Sequence, residues 1–105
     1  MSDLEISRAL AIAIGWEPEQ MRVFDDDMLC VIRRSGSLRE FDYRDWNVIG
    51  PIAEKYSAFP QQYPYTPGRI GMWQAHAIVN GVYATKLAYT PQKAIALAVI
   101  EGAKK

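Results

Sequence analysis

The sequence predicts an α+β fold, an α/β/α layered sandwich in which helices cover both faces of a mainly antiparallel sheet of about five strands. Three observations support this prediction. Alanine-rich segments with helical spacing lie near both termini, Asn80-Gly81 separates two strand-like segments, and residues 28–33 are apolar on both strand faces. A strand that is apolar on both faces is expected to be covered on both sides. The predicted order of elements is α-β-β-β-α-β-β-α.

The chain of 105 residues is predicted to form a single domain, residues 1–105. Half of its residues are hydrophobic, but no apolar run reaches the roughly 18–20 residues of a membrane span. Its first residues include Asp3 and Glu5 and lack the positive start of a signal peptide. Cys30 is the only cysteine, which excludes an intrachain disulfide. We therefore expect a cytoplasmic protein without membrane contact.

Charge is distributed unevenly along the chain, although the formal net charge is zero. Residues 1–27 contain seven acidic and two basic side chains, a balance of −5. Residues 28–55 contain five basic and four acidic side chains, and residues 56–105 contain five basic and one acidic. Such a polarity can steer a charged partner. We expect instead that the oppositely charged parts face each other in the fold.

The first half of the chain is predicted to contain one helix and three strands. The helix runs from Asp3 to Gly15, with Ser2 or Asp3 as its N-cap. Strands are predicted at residues 21–24 and 28–33, around the turn Asp25-Asp26-Asp27, and a more exposed strand at residues 38–41.

Segment 41–56 joins the two halves and is predicted to contain the central helix. Gly50-Pro51 predicts the start of this helix, because proline at the first position lacks only a donor that would be unpaired anyway. The alternative is a helix capped by Asp45 or Asn47, with Pro51 near its first turn. We expect the start at Gly50-Pro51.

The second half is predicted to contain a loop and a hairpin. Residues 59–69 have three prolines and no periodicity, which indicates a loop. Asn80-Gly81 is the favoured two-residue hairpin turn. Pairing Val79 with Val82 places His76 opposite Thr85.

The last helix is predicted to begin at Pro91 after a Thr90 cap and to end at Gly102. Its alanine-rich surface and that of the first helix predict that the two helices pack side by side.

The sequence predicts no catalytic residue, cofactor or metal. His76 is the only histidine, and Thr85 opposite it is a poor nucleophile on a strand. The three consecutive aspartates lack the glycine and the closing glutamate of a calcium loop. Glu54 with Asp45 is the one carboxylate pair that an enzyme could use. We therefore expect a non-enzymatic protein.

Two groups of side chains predict interaction surfaces. The candidate partner surface consists of aromatic side chains in and beside the proline-containing loop: Tyr56, Phe59, Tyr63 and Tyr65. The candidate nucleic-acid patch consists of arginines around the Ser35-Gly36-Ser37 turn: Arg33, Arg34, Arg39 and Arg44. Acidic neighbours interleave with these arginines, so we favour a protein partner over nucleic acid. A homodimer is the simplest contact that such tyrosines could make.

Three segments resemble a family of small phage and prophage proteins, the phage ABA-sandwich domain family. They are DLEISRAL at 3–10, FDYRDW at 41–46 followed by Gly50-Pro51-Ile52, and TPQKAIALA at 90–98. The resemblance spans nearly the whole chain, with a variable part at residues 59–89. It implies an α/β/α layered fold and a phage or prophage origin. The family has no assigned activity, so the resemblance transfers no functional residue.

We therefore expect a phage- or prophage-encoded accessory protein that binds another protein in the host cytoplasm, such as a host or host-defence factor. The alternative is a nucleic-acid-binding accessory factor that uses the arginine-rich turn.

Overall fold

The computed structural model describes residues 1–62 and 71–104, which form three α-helices, one short 3-10 helix and two antiparallel sheets. The helices are α1 (Asp3–Ala13), α2 (Trp46–Lys55) and α3 (Pro91–Lys104), and the 3-10 helix is Pro18–Gln20. The first sheet contains β1 (Met21–Phe24), β2 (Met28–Ile32) and β3 (Leu38–Glu40); the second contains β4 (Pro60–Gln62), β5 (Trp73–Val79) and β6 (Val82–Ala88). The predicted α+β class is confirmed.

The predicted single sheet of about five strands is wrong, because the six described strands form two separate meanders of three strands. Each meander is connected locally, and α2 lies between the two in the chain. The three prolines of residues 59–69 predict a loop, whereas Pro60–Gln62 pairs with β5 as an edge strand. Proline is tolerated in an edge strand because its missing N–H can face away from the ladder.

The first helix begins as its sequence predicts. The side chain of Ser2 accepts a hydrogen bond from the backbone N–H of Glu5 at 3.1 Å, and the Glu5 carboxylate accepts one from the Ser2 backbone at 3.3 Å. This reciprocal capping box satisfies two donors that the helix leaves unpaired.

The predicted start of the central helix at Gly50-Pro51 is wrong, and the alternative with Asp45 as N-cap is confirmed. The Asp45 carboxylate accepts a hydrogen bond from the Asn47 backbone N–H at 2.9 Å. Pro51 therefore lies inside α2, where it cannot donate to the carbonyl of Asn47 four residues earlier. The guanidinium of Arg39 donates to that carbonyl at 3.1 Å. A side chain from β3 thus replaces the hydrogen bond that proline removes.

The hairpin in the second sheet has the predicted register. Val79 pairs with Val82 across the turn, and His76 pairs with Thr85. Asn80 and Gly81 both have positive φ, at 51° and 79°. Two consecutive residues with positive φ define the turn type that matches the twist of paired strands, and Asn-Gly favours it.

The last helix is buried between the second sheet and α1. Its side-by-side packing with α1 agrees with the sequence prediction. Gly102 does not end α3 but lies inside it, and a Cβ atom there would be 2.9 Å from Cγ2 of Val79. Glycine at this position is therefore required by close contact between helix and sheet rather than by a helix stop.

The described helices cover one face of the second sheet. The inner face is buried under α3 and carries Ala75, Ala77, Val79, Ala84 and Ala88. On the opposite face Ile78 is 49% exposed and Tyr83 is 60% exposed. The α/β/α arrangement predicted from the sequence is therefore not present around this sheet in the part of the chain that the structure describes.

We predict that Arg39→Ala lowers the free energy of unfolding by about 1 kcal/mol, because it leaves the Asn47 carbonyl without its donor. In a Pro51→Ala background the loss should be smaller, since alanine supplies the missing helical N–H. Urea denaturation of the four proteins in this cycle measures both losses. Arg34→Ala, which removes a neighbouring exposed charge, is the control. Equal losses from Arg39→Ala in both backgrounds would show that Arg39 does not compensate for Pro51.

Candidate functional site

The four arginines of the candidate nucleic-acid patch are in different environments. Arg44 forms ion pairs with two acidic residues: its Nη2 lies 2.7 Å from Oδ2 of Asp42, and its Nη1 lies 3.3 Å from Oδ2 of Asp3. Arg39 donates to the backbone of α2. These two arginines therefore stabilise the fold, and only the arginines of the turn remain as candidates for ligand contact.

Arg33 and Arg34 lie in the connection between β2 and β3, which is closed by backbone hydrogen bonds between Arg33 and Ser37 and between Gly36 and Arg33, both at 2.9 Å. Neither arginine forms an ion pair within residues 1–62 and 71–104. Both line a depression of about 380 Å³ that also contains Trp16.

Trp16 is the functional candidate that sequence reasoning missed. It follows α1 in the chain, and its half-buried indole lies between two depressions. The smaller depression, about 150 Å³, contains Arg39 and Asn47. An indole beside exposed guanidinium groups can stack on a base while the arginines contact phosphate. No local spacing in the sequence indicates this neighbourhood, since it requires β2, β3 and the end of α1 to meet.

Two hydrogen bonds donated by Tyr43 hold segment 41–44 against the start of α1. The hydroxyl of Tyr43 donates to the carboxylate of Asp3, and the backbone N–H of Tyr43 donates to Oγ of Ser7 at 3.1 Å. Burial raises the pKa of the Tyr43 phenol, and the bond to Asp3 raises it further. Hydrogen bonds from Arg44 hold the pKa of Asp42 below its ordinary value, although partial burial opposes this shift. The cluster is a structural clamp between two distant segments.

A depression of about 310 Å³ next to this clamp is strongly acidic. It is lined by carboxylates from the N-terminal segment, the β1–β2 turn, β3 and the segment after it: Asp3, Asp26, Asp27, Glu40 and Asp42, with Arg44 at its edge. Within residues 1–62 and 71–104, no three or more His, Cys, Asp or Glu side chains are grouped so that they could hold a metal ion.

The side chains considered for catalysis are not assembled into an active site in the described chain. Nδ1 of His76 lies 2.7 Å from Oγ1 of Thr85, and its ring stacks on Tyr83 with 5.2 Å between ring centroids. Asp45 caps α2 while Glu54 is near its other end, about 13 Å away along the axis. Cys30 is buried, and burial raises the pKa of its thiol.

The second sheet presents an open surface that we call the outer face. It consists of alternate residues of its three strands: Gln61, Gln74, His76, Ile78, Tyr83, Thr85 and Leu87. Phe59 lies two residues before Gln61 and is 58% exposed. Asp, Glu, Lys and Arg do not occur at these positions. The outer face is therefore a neutral surface with exposed aromatic and aliphatic side chains.

The structure describes only part of the candidate partner surface. Tyr56 is half-buried against the hydrophobic core, with the ammonium of Lys55 5.4 Å from its ring centroid, and Phe59 is exposed beside the outer face. Tyr63 and Tyr65 lie outside the described residues. Phe59 thus directly precedes β4, the edge strand of this sheet, and the outer-face residues of β5 and β6 were not among those predicted from the sequence. The hairpin register was the signal that could have found them.

Comparisons with known proteins support the fold. The chain is similar to the crystal structure of a phage protein from Bacillus cereus ATCC 14579, with a TM-score of 0.66 and 17% sequence identity over 100% of this chain and 90% of that protein. At this identity the similarity shows a shared fold. The chain matches no family model and no curated protein, so membership of the phage ABA-sandwich domain family is not shown. None of the described helices is long and apolar enough to cross a bilayer.

We predict that the clamp makes stability depend on pH in the acidic range. Because the pKa of Asp42 is lower in the folded chain than the ordinary value of about 3.9, its contribution is complete above that value and is lost as the pH falls through the folded pKa. Asp42→Asn should flatten the loss of stability below about pH 4. Urea denaturation between pH 2.5 and 7 would measure this, and Glu54→Gln on the exposed side of α2 is the matched control. The same acid slope in Asp42→Asn and in the unaltered chain would contradict this assignment.

Proposed function

We propose that this chain is a small phage-encoded protein that acts without catalysis, by binding another protein in the host cytoplasm through the outer face and the adjoining aromatic residues. The observation that carries the proposal is the exposure of Ile78 and Tyr83 on a sheet that helices cover on one side only. The fold shared with a phage protein supports the phage origin.

The composition of the outer face determines the class of partner. Nucleic acid is held by cations that neutralise its phosphates, and anionic membranes are held in the same way. The outer face has no lysine or arginine at its described positions, so it is unsuited to both. Exposed tyrosine and isoleucine with neutral polar neighbours are suited to an uncharged, partly apolar patch on a protein. Tyr63 and Tyr65 follow β4 in the chain and remain predicted members of this surface.

We predict that Ile78→Asp abolishes capture of the partner from phage-infected host lysate, while Ile12→Asp leaves it intact. The two isoleucines are 49% and 47% exposed, so they form a matched pair that differs in location. Once the captured protein is identified, Ile78→Asp should weaken its affinity at least tenfold in a direct titration, because a charge at the centre of an apolar contact must be desolvated. Thermal denaturation of both variants checks that the fold is retained. Equal binding by both variants, or equal loss, would show that the outer face is not the binding surface.

A second candidate function rests on the depression around Trp16, where Arg33 and Arg34 have no ion-pair partner in the described chain. This arrangement favours binding of single-stranded nucleic acid through stacking on the indole and contacts with phosphate. It is the weaker candidate, because two of the four arginines predicted for the patch are engaged within the fold.

The nucleic-acid candidate predicts a salt dependence that can be measured by filter binding with single-stranded DNA and RNA oligonucleotides. In the Arg33→Ala, Arg34→Ala double variant the slope of log affinity against log salt should fall in magnitude by about 1.4, since each lost phosphate contact contributes about 0.7. Arg8→Ala with Lys104→Ala removes the same charge from elsewhere on the surface and should leave the slope nearly unchanged. Equal slopes in both double variants would assign any binding to net charge alone.

A further inference from the structure

Edge strands of β-sheets expose unpaired backbone groups, and natural proteins usually protect them by shortness, charge or proline. Three of the four edges in the described chain are protected in this way. β1 has four residues and carries Arg22, β3 has three residues including Arg39 and Glu40, and β4 has three residues and begins with Pro60. The remaining edge is β6, which has seven residues and no proline.

The hairpin register determines which backbone groups of β6 point away from β5 and are free within the described chain. In a two-residue hairpin the residues that flank the turn form a hydrogen-bonded pair, and such pairs alternate along the ladder. Val79 and Val82 flank the turn, so Val82 and every second residue after it bond to β5. Tyr83, Thr85 and Leu87 then direct their N–H and C=O groups away from the sheet. The N–H of Ile78, opposite Tyr83, donates to the carbonyl of Tyr56 at 2.9 Å, which agrees with this alternation.

The one charged side chain of β6 does not protect the edge. Lys86 is on the inner face, opposite Ala75, with its Nζ 3.9 Å from Oε2 of Glu101 on α3. The residues that carry the free backbone groups are uncharged, and their side chains lie on the outer face.

We propose that two copies of this chain pair through antiparallel β6 strands, with Thr85 on the two-fold axis, and form one continuous sheet of six strands. This arrangement places Thr85 opposite Thr85 and Tyr83 of one copy opposite Leu87 of the other. The free groups of the two strands then form about six hydrogen bonds in a regular ladder.

A second copy fits this edge because the edge is complementary to itself. The free groups are arranged symmetrically about Thr85, which matches the symmetry of an isologous dimer. An aromatic side chain opposite an aliphatic one is a favourable cross-strand pair, and it covers part of the exposed ring of Tyr83. Lys86 would lie opposite Ala84 of the other copy, so no like charges are directly opposed. The pairing follows from the backbone groups of the sheet edge and does not rest on the proposed partner, although the side chains of Tyr83, Thr85 and Leu87 belong to the outer face.

The first test compares Thr85→Pro with Thr85→Ala by light scattering after size exclusion and by sedimentation over a concentration series. Because the N–H of Thr85 points away from β5, proline at this position removes a donor of the dimer contact without removing a bond of the hairpin. Both variants lose the hydrogen bond between the side chains of Thr85 and His76. The remaining difference is the backbone N–H at position 85, which alanine keeps and proline lacks. We expect a dimer for the unaltered chain and for Thr85→Ala, and a monomer for Thr85→Pro with retained helix and strand content. A monomeric unaltered chain at millimolar concentration, or the same mass for both variants, would overturn the proposal.

The second test reports which residues of the two β6 strands lie opposite each other in the dimer. It does not require the strand to accept a proline. Thr85→Cys should form a disulfide-linked dimer under mild oxidation, since Cα atoms of a directly opposed hydrogen-bonded pair are about 5.5 Å apart, within disulfide range. Tyr83→Cys is the control, because its copies would be about 14 Å apart in this register. The native Cys30 is buried, and the unaltered chain gives the background. Equally rapid cross-linking of both variants, or none above background for Thr85→Cys, would overturn the proposed pairing.

Discussion

The burial of α3 between the second sheet and α1 is the contact on which the rest of the structure depends. Alanines at positions 94, 96 and 98 are fully buried, and Gly102 is in close contact with Val79. Small side chains on both sides of a helix allow it to approach a sheet and another helix at the same time. Because α1 is packed on α3, it is not available to cover the outer face of the second sheet. The open surface is thus a consequence of how the core is filled.

A second set of contacts ties the first half of the chain to this core. Tyr43 is buried and bonds through its side chain to Asp3 and through its backbone to Ser7, so the segment before α2 is fixed on the start of α1. Arg44 and Asp42 extend the same cluster towards solvent. Two of the four arginines predicted to form a nucleic-acid patch, Arg39 and Arg44, are therefore engaged in contacts within the fold. Of the predicted patch this leaves Arg33 and Arg34, beside Trp16, for contact with a ligand. The second half presents an outer face without charged side chains at its described positions.

The features that the sequence predicted correctly are those set by near neighbours. The N-cap at Ser2, which is one of the two residues predicted for it, and the turn at Asn80-Gly81 involve residues three or fewer positions apart, and the hairpin register follows from the turn. The start of α2 was predicted wrongly because the donor that lets Pro51 lie inside the helix is Arg39, on a different strand. The division into two sheets likewise depends on contacts between distant segments, which hydrophobic spacing alone does not specify.

The candidate sites also depend on contacts between distant segments. For this reason the outer face was not among the surfaces predicted from the sequence. The arginines could be named from the sequence, and the pairing of Arg44 with Asp42 involves a near neighbour, but its contact with Asp3 joins residues forty-one positions apart. The outer face was implicit in the hairpin register, yet its exposure depends on which side of the sheet α3 occupies. An uncovered sheet face with exposed isoleucine and tyrosine is a hazard in a protein that acts alone, because it lies beside an edge strand that has no proline and whose one charge is on the inner face. In a protein that binds others, the same two features supply the contact surface and its backbone hydrogen bonds, and this is the physical argument that favours binding as the role of this fold.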